Sequence, residues 1–347
     1  MSTTTGWQST DQTSNAMSRV TIERRELRPD DVAVCIDYCG VCHSDLHRIH
    51  GMLGEKDLVP GHEFTGVVTA IGSDVTKFAV GDAVAVGTII DSCGECPMCK
   101  LGQENFCVKG ATTTYGGKEN LKGGYSRDYV VKEKFAFHVP EGLDPVAAGP
   151  LMCAGISVWE PMRAAGVGPG TRMAVAGLGG LGHLAVKLGV ALGAEVTVLS
   201  RTADKTDDAL ALGAKDLLVT TDDTAMAAAM GRFDYIIDTI AADHELSPLL
   251  RLLWVDGTLC VLGNPLMTGP RLLELGYGRK KLTSSGTGGL PQTAELLQFC
   301  ADNGIAPQVE VLPSAQVETA LDRLAAGDVR YRFVLDLSDL DEPTATA

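Results

Sequence analysis

Positive charge is in short supply in this chain. Against 44 Asp and Glu stand 29 Lys and Arg, a net charge of −15. Binding to a phosphate backbone needs clustered Lys and Arg, so nucleic acid is excluded as a partner. Also missing is any apolar run long enough to span a bilayer, so no membrane association is expected. Residues 1–19 (MSTTTGWQSTDQTSNAMSR) have neither an apolar stretch nor a basic start. They do not read as a secretory signal and are expected to form a flexible tail. No internal repeat occurs, and no low-complexity tract beyond that tail. With 15 Pro against 40 Gly, the composition implies many tight backbone positions and no disordered chain. Without a secretion signal, the ten cysteines read as metal ligands and buried thiols, not disulfides, and place the chain in the cytoplasm.

What is present is ordinary for a globular protein: 45% apolar and 21% charged residues over 347 positions, a length that suggests two domains. Up to about residue 150 the texture is short β-rich runs, such as 67–72 and 82–86, punctuated by Gly66, Gly72, Gly81 and Gly87. This predicts a β-rich, barrel-like first region. After an apolar helical stretch at 151–167, strands and helices alternate. Strands are expected at 172–176, 195–199, 216–219, 233–238, 258–262 and 281–285. Helices are expected at 181–192, with Gly193 at its end, and at 203–212 with Gly213. Such alternation implies an α/β domain with a doubly wound parallel sheet. Helical patterns at 293–302 and 316–326 and a strand at 331–336 close the chain.

Four motifs carry chemistry. Cys93, Cys96, Cys99 and Cys107 fall within 15 residues, three of them at strict C-x-x-C spacing. Four thiolates satisfy a tetrahedral zinc completely, so such a site holds a loop and does not react. A disulfide loop is the alternative; a nucleic-acid finger is disfavoured because no basic, aromatic-interleaved helix follows. Next comes Gly177-Leu178-Gly179-Gly180-Leu181-Gly182, after an expected strand and opening an expected helix. Gly177 permits the tight turn, Gly179 lets backbone approach a pyrophosphate, and Gly182 allows close helix–strand packing at a helix N-terminus that offers free amides. The following strand ends at Ser200-Arg201, with Lys205 nearby. NAD-binding chains usually carry an acid there for the ribose hydroxyls. A small hydroxyl beside two cations leaves room and charge for a 2′-phosphate, which predicts NADP(H); the plain alternative is that Arg201 and Lys205 are surface charges. Finally, Cys42-His43-Ser44-Asp45-Leu46-His47 and, further on, His62-Glu63 collect zinc-type ligands and proton-transfer groups. Cys39 and Cys42 also form a C-x-x-C, but the thioredoxin-like setting a redox dithiol needs is missing. Cys153 would be a buried thiol by default.

At these residues the chain resembles the zinc-dependent medium-chain alcohol dehydrogenases, in their cinnamyl-alcohol-dehydrogenase-like branch. The stretches CGVCHSDLH (39–47), PGHEFTGVV (60–68), the four-cysteine lobe, GGYSRDYVV (123–131), LMCAGISVW (151–159), AGLGGLGHLAVKLG (176–189), VTVLSR (196–201) and DVRYRFVLD (328–336) carry the likeness in order along the chain. The resemblance implies a GroES-like catalytic domain of residues 1–153 and 290–347 around a Rossmann domain of 154–289. It implies a catalytic zinc on Cys42, His62 and Cys153, with Glu63 able to take the fourth position when substrate is absent, and a second zinc in the lobe. Asp45 is implied to orient a ligand histidine. Ser44 and His47 are implied to relay a proton, His43 to meet the cofactor phosphate, and Ser157 to lie near the nicotinamide. The implied reaction is hydride transfer between NADP(H) and a primary alcohol/aldehyde pair, with zinc as Lewis acid. Stretches 110–123, 263–278 and 284–289 follow the family only loosely, which leaves substrate range and oligomer geometry open. A homodimer or homotetramer is expected, both being common closed symmetries. A zinc-free quinone or enone reductase of the same superfamily lacks the ligand set and lobe. A redox or metal sensor does not need the glycine loop.

Overall fold

The structure is a computed structural model that describes residues 2–263 and 269–341. Residues 264–268, inside the loosely matching 263–278 stretch, and the last six residues of the chain lie outside the described residues. Two compact units emerge: Met1–Cys153 with Gly289–Ala347, and Ala154–Gly288.

The first unit is built on a seven-stranded sheet in the order Val309–Pro313, Arg332–Asp336, Asp31–Val41, Phe64–Ile71, Ala83–Val86, Ala136–His138, with Asp128–Lys132 also paired to Asp31–Val41. Asp31–Val41 is the hub. Val32, Val34 and Ile36 alternate inward and meet Phe64, Val84, Phe333, Leu335 and the inner face of the helix Val317–Ala325 (Val317, Ala320, Leu321, Leu324) in one core. Gly66 lies where Cys35 crosses. A Cβ there would come within 2.0 Å of the Cys35 carbonyl oxygen, so the bulged pairing of these two strands demands glycine.

The N-terminal segment is not a tail. Ser2–Ser9 pairs antiparallel with Met17–Arg24, in register from Ser2 opposite Arg24 to Ser9 opposite Met17. The polar composition concealed the strand, because its buried residues, Thr4, Gly6 and Ser9, are small and not greasy. Thr4 and Ser9 are buried; Thr4 Oγ1 donates to Asp128 (2.8 Å) and Ser9 Oγ accepts from the Leu58 amide (3.2 Å). Thr3, Thr4 and Thr5 supply β-branched side chains suited to a strand.

The second unit is a six-stranded parallel sheet in the order Asp216–Val219, Glu195–Ser200, Arg172–Ala176, Phe233–Asp238, Leu253–Val261, Lys281–Ser284. Counted along the chain this is the 3-2-1-4-5-6 order of a dinucleotide-binding sheet. The expected helix at 181–192 runs Gly182–Ala191, and Gly193 follows at φ +90°, the left-handed position that ends a helix cheaply only as glycine. The expected helix at 203–212 splits into a tight turn, Ala203–Lys205, and a short helix, Thr206–Ala211. The stretch expected as one helix at 151–167 begins as a wider-wound π-helix, Leu151–Gly155, before the α-helix Ile156–Ala164. Such turns concentrate at functional sites, and this one carries Cys153. Among the described residues no helix is long and apolar enough to cross a membrane.

Candidate functional site

The glycine loop joins Arg172–Ala176 to the helix Gly182–Ala191. Gly177 takes φ +88°, and a Cβ on Gly182 would lie 2.1 Å from the Gly177 carbonyl oxygen. Any side chain at Gly182 would therefore push the helix off the turn. Gly179 is different: it is exposed, and nothing lies within 4 Å of where its Cβ would be. That open space beside Gly180, Leu181 and Gly182 leaves room for a pyrophosphate. Thr239 Oγ1 secures the turn by donating to the Ala176 carbonyl (2.9 Å). At the end of the neighbouring strand Ser200 is half-buried, while Arg201 and Lys205 are exposed. Lys205 Nζ donates to the Leu178 carbonyl inside the glycine loop (3.2 Å), so the cation and the loop belong to one surface. Ser157 is buried, and its hydroxyl donates to the Gly286 carbonyl (2.6 Å).

The cysteine lobe brings its four sulfurs together. Cys96 Sγ lies 3.5 Å and Cys93 Sγ 3.9 Å from Cys99 Sγ. A tetrahedral zinc with Zn–S bonds of about 2.3 Å has S···S edges of about 3.8 Å, so the cage matches that metal. Amide N–H groups of Cys99 and Val108 pull the Cys96 thiol down to about 6, which makes it a thiolate at neutral pH. The Ser92 hydroxyl and the neighbouring thiols act on Cys99 in opposite directions, and together with burial the thiols push it up to about 11, so a bound cation would be needed to make Cys99 a thiolate at neutral pH. The lobe rests on the helix Leu290–Asn303: Glu104 accepts from the Leu290 amide (3.1 Å).

A second cluster gathers Cys42, His62 and Cys153, whose ligand atoms all lie within 4.8 Å of one another. Cys42 Sγ is 3.8 Å from Cys153 Sγ, again a tetrahedral edge, and His62 Nε2 is 3.2 Å from Cys153 Sγ. The hydrogen bond from Cys153 holds the Cys42 thiol well below its usual range and pushes Cys153 well above. Three ligands leave one tetrahedral position open, the mark of a catalytic zinc. Cys42 is also the N-cap of the helix His43–Ile49, its sulfur accepting from the Ser44 amide (3.5 Å).

Asp45 organises the cluster from beneath. It is fully buried, and its carboxylate faces five donors. These are His62 Nδ1 (3.0 Å), the Cys42 amide (3.0 Å), the Gly61 amide (3.3 Å), the Tyr115 hydroxyl (2.8 Å) and the Tyr125 hydroxyl (3.2 Å). With Nδ1–H turned to Asp45, the Nε2 lone pair of His62 is left for the metal. Glu63 does not join the three converging ligands. Its carboxylate is hydrogen-bonded to Arg332, and both side chains are buried. Burial pushes the Glu63 carboxyl up to about 8, against the pull of Arg332. A dication held by Cys42, His62 and Cys153 would offset their two thiolates, and Arg332 lies against Glu63 beside them.

Ser44 and His47 lie three residues apart on the helix His43–Ile49, both exposed. Ser44 Oγ is 3.5 Å from Cys42 Sγ. His43, half-buried, opens the helix; burial lowers its pKa, and its ring centroid is 6.4 Å from that of His47. Cys39 is buried with Sγ 3.6 Å from the Gly40 carbonyl oxygen, and burial pushes its thiol well up. Tyr115, Tyr125 and Arg332 were not found from sequence, since no local spacing links them to the residues they serve.

Residues 28–141 match the model of the alcohol dehydrogenase GroES-like domain, and residues 180–302 that of the zinc-binding dehydrogenases. A probable formaldehyde dehydrogenase of Bacillus subtilis is 45% identical over 93% of this chain and 94% of its own length. An NADP-dependent alcohol dehydrogenase C of Mycobacterium bovis is also 45% identical, over 93% of this chain and 96% of its own. A cinnamyl alcohol dehydrogenase structure from Sorghum bicolor superposes with a TM-score of 0.93 at 39% identity, covering 99% of this chain and all of that one. The open three-ligand cluster, the closed four-sulfur cage and the glycine loop thus occur in a chain that belongs to the zinc-dependent alcohol dehydrogenase family, with its GroES-like and Rossmann domains.

Proposed function

We propose that this enzyme transfers a hydride between NADP(H) and a primary alcohol/aldehyde pair, and works chiefly as an aldehyde reductase. The observation that carries this is the convergence of Cys42, His62 and Cys153 beside an exposed Ser44 and His47. Zinc, when bound there, supplies Lewis acidity toward the carbonyl oxygen. The chain's own groups do the rest. Asp45 fixes the His62 tautomer and its aim. Glu63 holds Arg332 beside the ligands; as the carboxylate nearest in sequence to a ligand, it would have to leave Arg332 to take the fourth metal position when substrate is absent. As hydride reaches the carbonyl carbon, the oxygen needs one proton. Ser44 delivers it and is reprotonated from His47, which faces solvent. The product alcohol and NADP⁺ complete the balance.

His47→Gln tests the relay. It should lower kcat about 10- to 100-fold with little change in KM for NADPH; an unchanged kcat contradicts it.

The cofactor reading rests on Ser200, Arg201 and Lys205 at the strand end, and the relative named as NADP-dependent agrees with it. His43 and Ser157 are the further residues proposed to meet the dinucleotide, at its phosphates and nicotinamide. Turnover should favour NADPH over NADH by about tenfold or more in kcat/KM, about 1.4 kcal/mol. Arg201→Ala should narrow the gap by raising KM for NADPH alone, and an NADH preference in the wild type overturns the assignment. Relatives at the same 45% identity are named for formaldehyde and for alcohols. All ten cysteines are free thiols. The six in the two clusters must stay reduced to hold metal, which suits the cytoplasm.

A further inference from the structure

Arg24 ends the strand Met17–Arg24 and is buried. Its guanidinium is spent on backbone. Nε donates to the Asp128 carbonyl (2.8 Å), one terminal nitrogen to the Lys122 carbonyl, and the other to the Gly123 carbonyl (2.9 Å) and the Ser126 hydroxyl. The Tyr129 ring lies under it, 4.6 Å from the centroid. Burial lowers its pKa to about 10, so it stays a cation at neutral pH. The nearby Asp128 carboxylate accepts from Thr4 (2.8 Å). A buried cation that grips carbonyls tolerates no looseness in them, because an unmatched charge in the interior is costly.

The Lys122 and Gly123 carbonyls and the Ser126 hydroxyl belong to the strap 122–126, whose amides face the opposite way. Gly123, Gly124 and Tyr125 donate to the carbonyls of Val59 (2.7 Å), Gly61 (2.8 Å) and Pro60 (2.9 Å), the residues leading into His62. The fit is close. A Cβ on Gly123 would lie 2.3 Å from the Pro60 carbonyl oxygen, and one on Gly61 2.7 Å from the Tyr125 ring and amide. The strap also carries Tyr125, whose hydroxyl donates to Asp45. Strand Ser2–Ser9 holds the strap's far side: the Trp7 amide donates to the Tyr125 carbonyl (2.8 Å) and the Arg127 amide to the Thr5 carbonyl (2.9 Å).

We propose that Arg24, through the strap 122–126, is a positioning residue for the Cys42–His62–Cys153 centre, and that the N-terminal hairpin is part of the machinery that keeps its metal. Two routes carry the effect: the strap's amides fix the 59–61 turn before His62, and Tyr125 fixes the carboxylate that orients the ring. This rests on the zinc reading above.

The experiment compares wild type, Arg24→Met, Arg24→Lys and Tyr125→Phe, each as the full chain loaded with zinc. Zinc per chain is followed during dialysis against a chelator, alongside kcat, KM for NADPH and Tm. Outer partners of zinc ligands typically tune affinity 10- to 100-fold. Arg24→Met should therefore release one of its two zincs about tenfold faster than wild type while the other stays. kcat should fall as that zinc leaves and return when zinc is added back, with KM for NADPH unchanged. Arg24→Lys, which keeps the charge but loses the fork of donors, should fall between, and Tyr125→Phe should shift release the same way. If Arg24→Met yields no folded protein, the other two variants decide. Wild-type release rates in folded variants whose Tm is lowered would show a merely structural role and overturn the proposal. A wild type that holds only one zinc would instead sink the underlying site assignment.

Discussion

Cys42→Ser costs about 10⁴-fold in kcat/KM, roughly 5 kcal/mol of transition-state stabilisation, and the purified protein holds one zinc per chain instead of two. Serine is the sharper choice over alanine. Cys42 has two roles: its sulfur is one of three converging ligands and also caps the helix His43–Ile49 by accepting from the Ser44 amide. A serine oxygen is a good cap but, with its proton held far above neutral pH, a poor ligand beside Cys153. The variant should then fold with a Tm close to wild type and still bind NADPH at its glycine loop, as read by fluorescence titration. Full turnover in a folded Cys42→Ser enzyme would remove the open cluster from the chemistry.

Cys99→Ala acts in the reverse order, on stability before chemistry. Closed structural zinc sites contribute to folding directly, with apparent binding energies of about 10 kcal/mol or more in isolated fingers. Here the lobe is supported by the rest of its unit, so only part of that energy is at stake. A loss of about 3–4 kcal/mol would lower Tm by about 10 °C. The damage should spread to the helix Leu290–Asn303, on whose first residues Glu104 and Gly102 of the lobe rest. Calorimetry reads the first effect, and protease cleavage within 93–107 reads the opening of the loop. Below the lowered Tm, KM for NADPH and the kcat of intact molecules should be nearly unchanged. An unchanged Tm with one zinc missing would show that the lobe's metal does not hold the fold.

What could be read from the sequence follows chain distance. The lobe's four cysteines and the Gly177–Gly182 loop are local: spacing alone defines the chemistry, and short turns of fixed geometry allow few other structures. Cys42 and His62 were half legible, as a crowd of candidate ligands whose members only a tertiary structure separates. Cys153 lies 111 residues from Cys42 and was named only through resemblance. Arg332, 269 residues from Glu63, and the two tyrosines that meet Asp45 left no local trace. The N-terminal hairpin was misread for a different physical reason. Apolar alternation marks a strand whose buried face is greasy, whereas Thr4 and Ser9 satisfy buried polar groups and Arg24 buries a charge against carbonyls. The residues that looked least structured thus lie against the loop before His62.

Metal analysis of the wild type and Cys42→Ser, measured side by side with NADPH-dependent aldehyde reduction, tests the account most directly. The wild type should carry two zinc ions per chain and reduce aldehydes; Cys42→Ser should carry one, keep its fold and lose the reaction. A wild type that reduces aldehydes at full rate with one zinc or none would contradict it.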